Sequence, residues 1–108
     1  QPNIKQVACG STYTFVLTED NRLFACGNNE GGQLGLSHND DQYTFQPIVN
    51  PPWQQANIRQ VVCGDIHTFV LTDNGLLIKT IHQREGLYGK KTFTWKLKPT
   101  KAFQPQLF

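Results

Sequence analysis

The sequence of 108 residues contains no apolar run near the ~18 residues that a membrane-spanning helix requires, and no signal peptide is visible in it. A membrane partner is therefore not expected. Its three cysteines, Cys9, Cys26 and Cys63, form no Cys-x-x-Cys pair, which removes zinc ribbons and thioredoxin-like redox sites from consideration. No stretch repeats apolar residues at helical spacing between caps, so helices are not expected. Low-complexity runs are missing, and the composition is that of a folded domain. The net charge of +2 is too small to require nucleic acid as a partner. The first residue is Gln rather than Met, which reads as a fragment or a processed chain.

Recognisable chemistry is missing as well. Gly27 and Gly32 have the spacing of a phosphate-binding loop, but Gln33-Leu34 stands where Lys and Ser or Thr are needed to hold phosphates and magnesium. No Gly-x-Gly-x-x-Gly occurs. His38 and His82 lack partners at metal-ligand spacing, and Asp40-Asp41 are neighbours in a polar stretch that faces water by default. Catalytic, cofactor-binding and metal-ligating residues are accordingly expected to be none.

What the chain does contain is a sentence written twice. Ile4 to Thr18 and Ile58 to Thr72 agree at ten of fifteen positions without a gap, at a constant offset of 54. Self-similarity at such a period marks a repeat architecture. Within each copy, a short β-rich segment (Ile4–Cys9) closes at Gly10, and Tyr13–Thr18 alternates apolar residues with Thr as a half-buried strand does. Glu19-Asp20-Asn21-Arg22 predicts a turn, Leu23–Cys26 a third strand, and Asn74-Gly75 a two-residue hairpin turn in the second copy. Gly27–Gly35 is a glycine-rich loop. Phe45–Val49 reads as a fourth, edge-type strand because of Pro47. The fold class expected is all-β: two four-stranded blades of a β-propeller, a partial propeller, with a first repeat over 4–50, a linker over 51–57 and a divergent second repeat over 58–105. The second copy degrades after Leu77, keeping only the glycine spacing of Glu85-Gly86-Leu87-Tyr88-Gly89 and the recurrence of Phe45-Gln46-Pro47 as Phe103-Gln104-Pro105.

Several residues invite a stronger reading. Cys9 and Cys63 occupy one repeat position, where Cys serves as a small buried apolar residue. Phe15, Leu17, Phe69 and Leu71 are expected to fill the space between blades. His67 stands without a nucleophile or carboxylate at matching spacing, so a buried imidazole bonded to backbone is preferred over a proton-transfer role. Charge is unevenly spread: residues 1–78 carry three basic and seven acidic groups, and residues 79–108 carry seven basic and one acidic. In Thr92–Lys98, Phe93, Trp95 and Leu97 fall on one strand face and the lysines on the other, the usual pattern of a protected edge strand. The rival reading is a nucleic-acid surface in which Lys90, Lys91, Lys96 and Lys98 contact phosphates and Trp95 stacks on bases.

Val61–Leu71 resembles the repeat signature of the regulator of chromosome condensation family: apolar, two small residues, Gly, two variable residues, His, a small residue, apolar. Gly27-Asn28-Asn29-Glu30-Gly31-Gly32-Gln33-Leu34-Gly35 resembles the same family's glycine loop, stretched by one residue. Neither Trp53 nor Trp95 is followed by Asp, unlike WD-type repeats, and the double glycine of a kelch repeat, Gly31-Gly32, is matched by Glu85-Gly86 in the second copy. The resemblance implies a propeller that acts as a rigid protein-binding platform. Its implied partners are a Ran-type small GTPase, with the chain as guanine-nucleotide exchange factor, or chromatin through the basic C-terminal segment. An accessory role in a ubiquitin ligase or another enzyme whose active site lies elsewhere is also implied, as is packing against further repeats of a parent chain or self-association. A cytoplasmic or nuclear location follows from the same resemblance and from unpaired thiols.

Overall fold

A computed structural model of the chain describes residues 3–84 and 91–98. Each repeat forms one antiparallel four-stranded meander. The first sheet contains β1 (Ile4–Cys9), β2 (Tyr13–Thr18), β3 (Leu23–Gly27) and β4 (Gln42–Pro47). The second contains β5 (Ile58–Cys63), β6 (Thr68–Thr72), β7 (Leu77–Arg84) and β8 (Lys91–Lys98). Among the described residues no helix is long and apolar enough to cross a membrane. The expected end of the second repeat at residue 105, Phe103-Gln104-Pro105, Lys90 and the glycines of 85–89 lie outside the described residues.

The two copies repeat in backbone detail. Ile4↔Thr18 and Ile58↔Thr72 open the paired strands, and the same register irregularity follows each, between Ile4 and Gln6 and between Ile58 and Gln60. Gly10 N donates to Tyr13 O, and Gly64 N donates to His67 O, both at 2.8 Å.

The second hairpin differs from the expected two-residue turn. Thr72 N donates to Leu76 O at 3.0 Å and Gly75 N to Thr72 O at 3.1 Å, which makes Asp73-Asn74-Gly75 a three-residue loop. Only its last residue is left-handed (Gly75, φ 87°), the arrangement of a type I turn followed by a bulge. The Thr72 hydroxyl stabilises it by accepting from Leu76 N at 3.0 Å. The first hairpin is built identically, with Asn21 (φ 68°) in the left-handed position. There the side chain decides the residue type: Asn21 Oδ1 accepts from Ile58 N at 2.7 Å and its Nδ2 donates to Ala56 O at 3.1 Å. A glycine at 21 could take the turn but could not tie it to the second sheet.

The fourth strand also differs, running over Gln42–Pro47 rather than from Phe45 to Val49. Pairing begins at Gly27↔Gln42 and ends at Phe24↔Pro47, a pair closed by Ile48 N donating to Leu23 O at 2.9 Å, so Pro47 sits where no N–H is asked of it. In the second sheet Ile81 holds the place of Gly27, whose φ of 114° a β-branched residue adopts only under strain. The strand therefore runs on to Arg84 instead of breaking into a loop, and β8 pairs with it from Leu77↔Lys98 to Arg84↔Lys91.

The core lies between the sheets, and it is made from opposite faces of the same repeat. Val7 is 54% exposed, whereas its equivalent Val61 is 2% exposed; Ile4 is 61% exposed, whereas Ile58 is fully buried. The converse holds on the other face, where Phe15 and Leu17 are buried and their equivalents Phe69 and Leu71 are only half-buried. The expectation that all four of these residues fill space between blades thus holds for the first pair alone. Cys9, expected to be buried, is exposed for the same reason, while Cys63 turns inward and its Sγ donates to Ala8 O at 3.6 Å. An edge-to-face series of rings, Tyr13–Phe15–Trp95–Trp53, runs through the layer at centroid distances of 6.0, 6.4 and 5.1 Å. Burying each such side chain contributes about 1.5–3 kcal/mol. Trp53 comes from the connection between the sheets, so that stretch is pinned into the core.

Polar staples cross the same layer. Gln6 uses its amide as a substitute strand, accepting from Val61 N at 3.0 Å and donating to Val61 O at 2.7 Å. A Cβ on Gly10 would lie 2.5 Å from Gly64 O and 2.3 Å from Tyr13 Cε1, but one on Gly64 would meet nothing closer than His67 O at 3.6 Å. Gly10→Ala is therefore expected to cost about 1–3 kcal/mol through overpacking. Gly64→Ala should stay within about 0.5 kcal/mol. Denaturant midpoints of the two variants test this, and equal costs would contradict the described packing.

Candidate functional site

One end of the sheets gathers the connections that the repeat leaves free of core duty. The β1–β2 and β5–β6 loops and the long β3–β4 connection surround an open groove of about 430 Å³. Thr12, Asn28, Glu30, Asp65, Ile66 and His82 line it.

The β3–β4 connection is a folded object. Asn29 is fully buried and bonded at every polar position described: its N–H donates to Asp41 Oδ1 at 2.7 Å and its Nδ2 to His38 O at 2.9 Å and Asp40 O at 3.1 Å. Its Oδ1 accepts from Leu34 N at 3.0 Å. Gln33, where a nucleotide-binding loop has Lys, bends back so that its Oε1 accepts from Gly31 N at 2.9 Å and its Nε2 donates to Asn28 Oδ1 at 3.1 Å. Leu34 is buried. The loop's described polar groups are thus spent on one another, so the glycine spacing of a phosphate-binding loop does not make a phosphate site here.

The loop also bridges the sheets. Gly32 (φ 74°) and Gly35 (φ 68°) lie flat against β8, where a Cβ would sit 2.6 Å from Phe93 Cδ1 and 2.3 Å from Trp95 Cζ2 respectively. Trp95 Nε1 donates to Gly35 O at 3.0 Å, and the Thr68 hydroxyl donates to Gln33 O at 2.7 Å. Held between both sheets, the rim presents its outer side chains with little ordering entropy left to lose on binding.

Asp65 and Glu30 are exposed carboxylates on this rim, and the Ser11 hydroxyl donates to Asp65 Oδ1 across the two repeats. Ile66, 52% exposed, supplies an apolar contact beside them. His82 stacks on Phe93, ring centroids 4.8 Å apart and planes 17° apart. Two carboxylates, an amide, a hydroxyl and one aliphatic chain suit a polar or basic protein surface.

The residues singled out from sequence take other places. The hydrogen bonds described for His67 run through its main-chain carbonyl, which accepts from Tyr13 OH at 2.5 Å and from Gly64 N. Its imidazole lies half-buried on the uncovered side of the second sheet, where burial and the Lys79 ammonium hold it below the usual value. Tyr13, its equivalent, spans the sheets instead, its hydroxyl oxygen 3.2 Å from that of Thr68. Asp41 is a loop ligand for Asn29, and His38 Nδ1 accepts from Asp40 N at 3.0 Å, so these groups hold the connection together. Trp95 belongs to the core, which removes it as a base-stacking platform; Lys96 is exposed on the opposite face of β8. Among the described residues no three His, Cys, Asp or Glu side chains are grouped to hold a metal. Sequence reasoning passed over Thr12, Asp65 and Ile66 because they are the variable positions of the repeat; their placement just after Gly10 and Gly64 was the available signal.

Two family models, both described as Regulator of chromosome condensation (RCC1) repeat, match residues 4–33 and 20–71. The Secretion-regulating guanine nucleotide exchange factor of Bos taurus is 37% identical over 75 residues, 69% of this chain and 16% of that protein. The Probable E3 ubiquitin-protein ligase HERC4 of Homo sapiens is 32% identical over 99 residues, 92% of this chain and 9% of that protein. The chain thus spans less than a fifth of either relative. Prp20p from Saccharomyces cerevisiae, described with binding properties to Gsp1p and histones, superposes with a TM-score of 0.74 at 22% identity, covering 89% of this chain and 26% of that one. At that identity the likeness is one of fold.

Asn29→Ala would strand Leu34 N and two carbonyls, at about 1–3 kcal/mol for each buried group left unpaired, and should lower the thermal midpoint sharply. A change no larger than that of Glu30→Ala would contradict the packing of this loop. Burial pushes the Cys63 thiol up to about 11 and the Tyr13 phenol up to about 12. Both values lie above those of the unfolded chain, so the folded form holds more protons in alkali and loses stability as pH rises from about 9 to 12. Unfolding curves recorded across that range should show this, and Tyr13→Phe should flatten the part above pH 10.

Proposed function

The chain belongs to the regulator of chromosome condensation repeat family, and we propose that its loop face is a protein-docking platform that promotes nucleotide exchange on a Ran-type small GTPase. The observation that carries this is the groove itself: a rim fixed between two sheets that presents Asp65, Glu30 and Ile66 outward. A carboxylate pair beside an aliphatic chain suits a basic and partly apolar protein patch. An exchange factor contributes no bond-making group; it binds the nucleotide-free form of its partner more tightly than the loaded form. A face lacking a nucleophile–base pair is compatible with that task. The similarity to a secretion-regulating exchange factor supports the same direction.

The rival is passive scaffolding, as a substrate-binding arm of a ubiquitin ligase or as a chromatin contact, for which the similarity to HERC4 and to Prp20p is the support. Release of fluorescent GDP from a Ran-type GTPase, followed with and without the chain, separates these readings. Accelerated release is expected, reduced about tenfold or more by Asp65→Lys with Glu30→Lys while circular dichroism is unchanged. Binding without accelerated release would leave a scaffold, and neither binding nor release would overturn the assignment of this face.

A further inference from the structure

We propose that Asn74 is a site of spontaneous deamidation, at which the main-chain nitrogen of Gly75 displaces the side-chain amide as ammonia. Asn74-Gly75 is the one Asn-Gly pair in the sequence. It lies in the three-residue loop between β6 and β7, at the end of the sheets opposite the groove. Asn74 is exposed, and a Cβ placed on Gly75 would meet nothing within 4 Å, so no described residue crowds the attacking nitrogen.

That exposure is a property of the repeat position. Asp20 is the equivalent of Asn74 at the offset of 54, and it is exposed with the second sheet packed after its own. Asn74 is exposed with the first sheet packed before its own. A neighbouring sheet on either side thus leaves this turn residue in water.

The two turns differ in how they are held. Asn21 ties the first to the second sheet by accepting from Ile58 N and donating to Ala56 O. Gly75 stands in its place and has no side chain with which to make such a tie. The bonds described for Asn74 and Gly75 stay within the turn: Gly75 N donates to Thr72 O at 3.1 Å, and the Thr72 hydroxyl donates to Asn74 Oδ1. Opening the first frees the nitrogen, and such local openings need far less than global unfolding. The second puts a donor on the oxygen that becomes negative during attack, as an oxyanion hole does.

The step balances with water alone. Gly75 N loses its proton to hydroxide and bonds to Asn74 Cγ; the Cγ–Nδ2 bond breaks, ammonia leaves and a succinimide ring closes. Water then adds to either ring carbonyl and breaks its bond to nitrogen. One opening leaves aspartate at 74, the other carries the main chain through the side chain as isoaspartate, and no electrons are transferred. The first product fits the fold, because the Thr18 hydroxyl already donates to Asp20 Oδ1 in the first turn. The second lengthens a loop whose register the Thr72 hydroxyl sets through Leu76 N, and so loosens the hairpin.

Peptide mapping of the protein after prolonged incubation at neutral pH tests the proposal. Loss of the Asn74 amide is expected well before loss at Asn21 or Asn57, with both aspartate and isoaspartate formed, and faster in proportion to hydroxide. Gly75→Asn, which repeats the residue of the first turn, should slow the conversion about tenfold or more by placing a side chain on the attacking residue. Asn74→Asp should keep the thermal midpoint of the fresh protein, whereas the aged protein melts lower through its isoaspartate fraction. Retention of Asn74 for as long as Asn21 and Asn57 overturns the proposal, as does conversion seen in urea but not in the folded protein. Conversion unslowed in folded Gly75→Asn overturns the attack by Gly75 N.

Discussion

Contact between unlike faces of one repeated sheet is the constraint on which this molecule rests. A sheet with two apolar faces cannot be stable alone in water, because each face exposes several hundred square ångströms of hydrocarbon. Here one face of each sheet is satisfied by the other sheet, through Phe15 and Leu17 on one side and Ile58, Val61 and Val70 on the other. The close approach demands a glycine at 10, the Gln6 amide supplies hydrogen bonds where two strands meet side-on without pairing, and Asn21 ties the first hairpin to the start of the second sheet. Remove the approach and the rim loses its footing, since the glycine loop rests on Phe93 and Trp95 of the other repeat.

Much of this was legible before any coordinates. A ten-in-fifteen identity at one offset required the same backbone twice, and strand period, turn residues and glycines placed six of the eight strands within a residue or two, the exceptions being β4 and the far end of β7. The failures over burial share one cause. Burial of Cys9, Phe69 and Leu71 was inferred from the identity of the repeat, yet identical residues occupy different surroundings when one copy has a neighbour on that face and the other does not. Pattern reads which face is apolar; only packing says which is covered. The three-residue hairpin at Gly75 was missed because Asn-Gly carries a strong two-residue preference, which the Thr72 hydroxyl overrides by accepting from Leu76 N.

The candidate site was less legible, and for a reason built into repeats. Residues that recur are those that every copy needs for packing, so a repeat signature points to the core. Thr12, Asp65 and Ile66 sit in the gap of that signature, where no packing requirement restricts the side chain. The loop following Gly27 was visible as a motif, but its role was not: glycines that resemble a ligand cradle are here required by Phe93 and Trp95, two residues of a strand some sixty positions later. Tryptophan at 95 was likewise open to a surface reading until Gly35 O was found to accept its indole N–H.

The loss of that glycine loop in the second repeat has a consequence for recognition. Because β7 continues through Ile81 and His82, the second sheet raises a longer hairpin where the first lays a loop against its neighbour. The rim is therefore asymmetric, with Glu30 and Gln33 contributed by one repeat and Asp65, Ile66 and His82 by the other. A partner that docks there meets two different walls and can bind in one orientation only. On the exchange activity proposed above, that matters more than affinity: differential binding of two states of a partner requires fixed contacts whose geometry fits one state and not the other. A floppy rim would mould itself to both and shift nothing, so the proposed activity rests on the buried Asn29 and the bonded Gln33 amide, which hold the rim in place.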